Sequence, residues 1–233
     1  MREASKWEYE LKFPEQVPDV IDRAYAIASS VPKGPVYVSL PREVLCEPCP
    51  GAGIDAPLRM QPVRVAPPPA SLEEAASILA NAKNPVIIAQ RGAGTAEAFD
   101  RLSSLVDQWG IPVVQYWAIQ LALGTDHPMM AGMDPAPWLK DADAVLVIDC
   151  MAPWSPEIHK LRDDCKVIQI GQNPLYSRVP GRNFAADVSL TGETGDVIMA
   201  LADVLDRHHA DHRDVCATRH DAVAKLNGVN RAK

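Results

Sequence analysis

Several features that would assign a protein quickly are missing from this sequence. Its 233 residues hold no apolar run approaching the roughly 20 residues needed to cross a bilayer. The opening Met1-Arg2-Glu3-Ala4-Ser5-Lys6-Trp7-Glu8 has no apolar segment of a secretory leader, so a cytoplasmic chain is expected, without a membrane partner. Positive charge is in deficit: 23 Lys and Arg against 30 Asp and Glu give a net charge of -7, and the basic residues are scattered. That balance speaks against nucleic acid as the main partner. Cysteine is sparse and odd in number, with five in a chain large enough to fold without disulfide staples, which fits a reducing compartment. No HExxH, P-loop or Ser-His-Asp spacing occurs, so common hydrolase and nucleotide-hydrolysing chemistries have no motif to rest on.

What is present is an ordinary core-forming balance, 47% hydrophobic and 23% charged, with 21 prolines that cluster and act as punctuation. Val17, Val20, Ile21, Ala24 and Ile27 fall at helical spacing, with Pro18 in the opening turn. Pro32-Lys33-Gly34-Pro35 stops that helix, and Val36-Tyr37-Val38-Ser39-Leu40 reads as a strand closed by Pro41. One helix and one strand cannot bury both faces, so residues 1–45 read as an incomplete α/β segment. Residues 46–69, rich in Pro, Gly and Ala and ending Ala66-Pro67-Pro68-Pro69, read as a linker.

A repeating pattern fills residues 70–206. Ser71 and Glu74 form a candidate capping box for a helix with Leu72, Ala75, Ala76 and Leu79 inward. Pro85-Val86-Ile87-Ile88-Ala89 reads as a buried strand, followed by the turn Arg91-Gly92-Ala93-Gly94 and a helix capped by Thr95 with Phe99, Leu102, Val106 and Trp109 inward. Further strands are expected at Ile111–Val114, Ala144–Ile148, Lys166–Ile170 and Asp187–Leu190, with a short helix opened by Ser155 and Pro156 between the second and third. A last helix has Val197, Leu201 and Val204 inward, and residues 207–233 read as a helical or frayed tail. Strands alternating with helices imply a doubly wound parallel sheet of Rossmann-like α/β class.

The order of four stretches then resembles the central domain of thiamine-diphosphate-dependent enzymes. These are Pro85-Val86-Ile87-Ile88…Gly92-x-Gly94, Gly110-Ile111-Pro112-Val113, Leu123-Gly124-x-Asp126-His127-Pro128-x-x-x-Gly132-Met133 and Ala142-Asp143-Ala144-Val145-Leu146-Val147. The upstream Gly34-Pro35-Val36-Tyr37-Val38-Ser39-Leu40-Pro41 resembles the last strand of that family's pyrimidine-binding domain. Within that family the chain resembles the acetolactate synthase and benzoylformate decarboxylase group. The resemblance implies a parent enzyme of three modules that uses thiamine diphosphate and Mg²⁺ on 2-keto acids. Its cofactor glutamate would lie upstream of Met1, and its Gly-Asp-Gly metal motif is absent here. The chain is therefore expected to match the end of the first module and all of the second, to bind neither cofactor alone and to be inactive alone. Synthase relatives carry a Gly-Lys-Gly element where this chain has Tyr116-Trp117-Ala118-Ile119, and a glycine-arginine pair where it has Asp149-Cys150-Met151. Both departures count against FAD and against specific acetolactate synthase activity.

Candidate sites follow. Gly92 and Gly94, between a strand and a helix, suit either a nucleotide phosphate at helix N-terminal amides or a tight turn needing positive φ. A full GxGxxG would need glycine where Glu97 stands. Asp149 sits at the carboxyl end of a strand, the edge where open α/β sheets bind ligands, or is a solvated loop carboxylate. Trp117, Trp138 and Trp154 could line a pocket near that edge or pack as satellite core. Cys46-Glu47-Pro48-Cys49 is a CxxC with no helix behind it and no second pair. His208, His212, Cys216 and His220 share one face if helical, yet one straight helix cannot wrap four ligands around an ion. Two functional readings remain open: part of an enzyme acting on a 2-keto acid, or a stand-alone nucleotide-binding or split-enzyme subunit. As partners they imply a homo-oligomer or a complementary enzyme subunit. A truncated product is the bland alternative.

Overall fold

The computed structural model describes residues 4–48 and 59–231 and divides into two compact units, residues 1–65 and 66–233. Cys49 and the centre of the 46–69 stretch lie outside the described residues.

In the first unit, β1 (Trp7–Glu10) pairs in parallel with β2 (Val36–Ser39), Trp7 opposite Val36 and Tyr9 opposite Val38. Helix α1 (Val17–Ser29) joins the two strands, and the short α2 (Arg42–Leu45) follows. Leu11, Val20 and Val44 form the core, with Trp7, Tyr9, Val17 and Val38 half-buried against it. Lys6 Nζ donates to the carbonyls of Ile27 (2.8 Å) and Ser30 (2.7 Å) at the carboxyl end of α1, where helical donors run out. Strand β1 was not anticipated. Only the Trp7/Tyr9 alternation marks it, between two glutamates, and four residues are too few for that period to stand out.

The second unit runs α3 (Pro69–Asn81), β3 (Pro85–Ala89), α4 (Ala96–Trp109), β4 (Val113–Val114), α5 (Ala136–Leu139), β5 (Ala144–Ile148), β6 (Lys166–Gly171), β7 (Val188–Thr191) and α6 (Thr194–Arg231). All five strands are parallel, in the order β4-β3-β5-β6-β7. This is the doubly wound parallel sheet expected from the periodicity. Every residue of β3 and β5 is buried, which explains their unbroken apolar runs. Alternation divides each strand between two faces. Ile87, Leu146, Ile148, Ile168 and Leu190 meet α3, α4 and α6, while Val86, Ile88, Val145, Val147 and Val167 meet Leu139, Trp154 and Cys150. Each such aliphatic contributes about 1.5–3 kcal/mol on full burial.

Thr95 caps α4 as expected, its Oγ1 accepting from Ala98 N at 3.2 Å. Three other readings need correction. Helix α3 starts at Pro69 with Pro68 as N-cap, so Ser71 lies within the first turn and makes no cap. A proline at the first helical position has the right φ and no N–H to orphan, which outcompetes the serine. Residues 155–159 form a turn only, with Ile158 N and His159 N both donating to Ser155 O. Strand β4 is limited to Val113–Val114, because Pro112 cannot donate to the ladder. The four residues His208, His212, Cys216 and His220 share one face of α6, and that face turns towards α3 and α4. Cys216 is buried, His208 Nε2 lies 2.6 Å from Glu73 Oε1, His220 Nε2 lies 3.0 Å from Asp107 Oδ1, and His212 packs on Trp109. Helix α6 is continuous to Arg231, and its outer half is held by Arg219, which donates to Trp109 O (2.6 and 3.0 Å) and Ala82 O (3.0 Å). Those carbonyls end α4 and α3, so one guanidinium satisfies the C-termini of two helices.

Candidate functional site

The strand order reverses between β3 and β5, since β3 leads outward to β4 while β5 lies on its other side. In open α/β sheets the crevice beyond the carboxyl ends at such a point is the usual ligand position. Here the loops after β3, β4, β5 and β6 meet at that edge.

Gly92 has φ 75° and Gly94 has φ 90°, both left-handed. A Cβ on Gly92 would lie 2.9 Å from Leu121 O, and one on Gly94 would lie 2.8 Å from Gly195 N. The space left by the missing side chains is thus taken by protein backbone, the geometry of a tight turn packed against neighbouring loops. The open groove beside them is lined by Ala93, Gly94, Thr95, Phe99, Gln120 and Leu121. Gln90 ties the loops together: its carbonyl accepts from Ile119 N (2.7 Å) and Gln120 N (3.2 Å), and its side chain accepts from Met151 N (2.9 Å).

Asp149 follows β5 directly, with φ 44°, and its N–H donates to Ile170 O at 2.8 Å. Its Oδ1 accepts from the hydroxyl of Tyr176 at 2.7 Å, and Tyr176 itself has φ 48°. Burial, then the Asp149 hydrogen bond and charge, push the Tyr176 phenol up, with Arg91 opposing. Arg182 lies across the same loop. Its guanidinium is 4.7 Å from the Tyr176 ring centre and 5.2 Å from that of Phe184, and donates to Met151 O (2.8 Å), Cys150 O (2.8 Å) and Gln169 Oε1 (2.9 Å). Burial holds the Arg182 pKa below its ordinary value and pushes the Cys150 thiol up, Asp149 adding to the latter. Cys150 is therefore no thiolate nucleophile.

Trp117 has φ 49°, is 64% exposed and stacks on Tyr116 at 5.1 Å. Trp154, in contrast, is buried edge-on to Phe184, and Trp138 is half-buried between the two core clusters. The three non-glycine residues with positive φ among the described residues, Trp117, Asp149 and Tyr176, all lie in loops at the carboxyl edge. Strain of this kind persists where surrounding structure imposes it, and gathers at functional sites. The structure thus brings Asp149 together with Tyr176 and Arg182, which sequence reasoning missed. No local signal marks either residue, since both sit in the irregular stretch between β6 and β7.

Thiamine diphosphate is normally anchored through Mg²⁺. At this edge Asp149 is engaged by Tyr176, Glu193 by Gln172 and the Arg182 guanidinium by carbonyls, a donor set that does not suit a magnesium-bound diphosphate. Among the described residues no group of three or more His, Cys, Asp or Glu could hold a metal ion, and no helix is long and apolar enough to cross a membrane.

Fold and edge define a doubly wound α/β domain of the ligand-edge type. The family model for the central domain of thiamine pyrophosphate enzymes matches residues 72–201, more than half of the chain, and the chain belongs to that family. It is 36% identical over 225 residues to a Pseudomonas aeruginosa protein described as a probable 2-ketoarginine decarboxylase, covering 94% of this chain and 38% of that one. Against a Methanocaldococcus jannaschii protein described as a probable acetolactate synthase large subunit, identity is 26% over 215 residues, with 84% and 35% covered. The chain thus spans little more than a third of the length of these curated relatives. Among solved structures, a Mycobacterium smegmatis enzyme described as thiamin diphosphate-dependent superposes with TM-score 0.70 at 27% identity, covering 87% of this chain and 39% of that one. Benzoylformate decarboxylase from Polynucleobacter necessarius shares the fold, with TM-score 0.69 at 23% identity over 86% of this chain and 38% of its own.

Proposed function

We propose that this chain serves as the central module of a thiamine-diphosphate-dependent enzyme acting on 2-keto acids, and is inactive until modules that hold the cofactor and Mg²⁺ are supplied. The observation that carries this is the family match over residues 72–201. The cofactor would be held by modules other than these two units, and the partners proposed are a homo-oligomer or a complementary enzyme subunit. When bound in such an enzyme, the cofactor supplies the electron sink for the bond beside the keto carbon. The residues of this chain position and exclude: the Gly92–Gly94 turn and the Asp149–Tyr176 pair shape the edge that faces ligand, and Arg182 holds the Cys150–Met151 loop in place. FAD stays outside this reading, because Tyr116-Trp117-Ala118-Ile119 and Asp149-Cys150-Met151 stand where the resemblance implies flavin-contacting elements. The four described cysteines are free, which suits a cytoplasmic setting.

Calorimetric titration of the full chain with thiamine diphosphate and Mg²⁺ should give no heat of binding, and pyruvate or benzoylformate should release no carbon dioxide. Saturable micromolar binding would overturn the modular reading. Binding of a nucleotide alone would favour the stand-alone nucleotide-binding domain instead.

A further inference from the structure

The chain leaving β4 presents Trp117, Ile119 and Leu121 to solvent at the carboxyl edge, then turns back along the outer side of β4. On its return Met129 O accepts from Val113 N, Ala131 N donates to Val113 O and Gly132 O accepts from Gln115 N, each at 2.9 Å. Residues 129–132 therefore cover the free edge of β4, and Met129 enters the core fully buried. A single turn sets up this return. His127 N donates to Gly124 O (3.1 Å), Met130 N donates to His127 O (2.9 Å), and Met129 N donates to the imidazole Nδ1 of His127 (3.1 Å). A backbone N–H only donates, so Nδ1 must present its lone pair. Protonation of Nδ1 would set two N–H groups against each other and break that bond.

We propose that His127 is an acid-sensitive pin, whose protonation frees the 124–130 turn and with it the loop that presents Trp117, Ile119 and Leu121. The groups facing it are Asp107 of α4, Asp126 of its own turn and His220 of α6, with the Ser103 backbone beside the ring. Burial, the largest influence, and His220 disfavour the imidazolium, while Asp107, Ser103 and Asp126 favour it. The balance holds the His127 pKa below 6.5. A histidine held low stays neutral in the fold, so its contribution is complete above the unfolded value and is lost as pH falls below 6.5 towards the folded one. Helix α6 joins the same device, since Asn227 Nδ2 donates to Pro128 O at 2.8 Å.

Hydrogen exchange of the full chain, corrected for intrinsic rates, tests this at about pH 7.5 and at about one pH unit below the His127 midpoint that NMR reads. Exchange within residues 117–132 should rise about fivefold at the lower pH, the equivalent of one lost hydrogen bond. His127→Asn retains a side-chain acceptor and does not titrate, so its exchange should not respond to pH. His220→Gln should keep the wild-type response. Equal protection of the wild type at both pH values, an unchanged response in His127→Asn or a lost response in His220→Gln would each overturn the proposal. A titration of the wild-type His127 imidazole by NMR needs no variant: a midpoint below the ordinary histidine value supports the pin, and one at or above it refutes it.

Discussion

The two units of this chain use the same parts, parallel strands joined by helices, and differ in how much those parts can hide. The residue 66–233 unit lays its sheet between two apolar layers, and all of β3 and β5 disappears from solvent. Among the described residues the residue 1–65 unit has two strands and one small core cluster around Leu11, Val20 and Val44, and leaves Phe13, Ile21, Tyr25 and Leu45 more than half exposed. Parallel pairing carries no stability of its own that could replace coverage, because its strands are built to be buried on both faces. A parallel strand pair with one helix is therefore a fraction of a layer architecture, whereas five strands with three long helices complete one.

That contrast can be broken most sharply at β5. Leu146→Ala should cost about 3 kcal/mol or more, since nothing around a central strand can collapse into the cavity, and denaturant unfolding of the 66–233 unit would record it. Next comes the tie between helices. Arg219→Ala should cost about 2 kcal/mol by leaving Trp109 O and Ala82 O without their donor, and Arg219→Lys should restore only part, having no fork to reach both. In the smaller unit Val20→Ala should cost only about 1 kcal/mol, because its surroundings are already half open to water. A Val20→Ala cost equal to that of Leu146→Ala would remove the distinction between the units.

The smallest effect is electrostatic. Asp187 Oδ2 accepts from Val167 N (2.8 Å) and Oδ1 from Lys166 Nζ (2.9 Å). The amide bond first, and Lys166 after it, hold the carboxyl below its usual value against a partly opposing burial. A lowered carboxyl contributes stability above the unfolded value of 3.8 that is lost as pH falls through the folded one. Asp187→Asn should therefore differ from the wild type near neutrality and converge with it in acid unfolding curves; a constant gap would assign the effect to packing.

The two units also differ in how well they can be read. Where burial covers both faces, as at Ile87 or Val147, the apolar run is unbroken and the strand is plain in the residues. Where coverage is partial, as at Trp7 and Tyr9, the alternation is short and diluted by Glu8 and Glu10, and β1 went unseen. The candidate edge shows the same division. Gly92, Gly94 and Asp149 stand at the ends of legible strands, but Tyr176 and Arg182 lie in irregular chain, where no period carries information.

By itself, the sequence determined the alternation of strands and helices, the Thr95 cap and the parallel class of the sheet. Each follows from patterns repeating over a few residues, 3.6 along a helix or continuous along a doubly buried strand. Only the tertiary structure decided that Tyr176 meets Asp149 across 27 residues and that Arg219 reaches Trp109 across 110. Such contacts are fixed by strand order and helix length, which local spacing does not encode: the chain must first fold before distant residues share an edge.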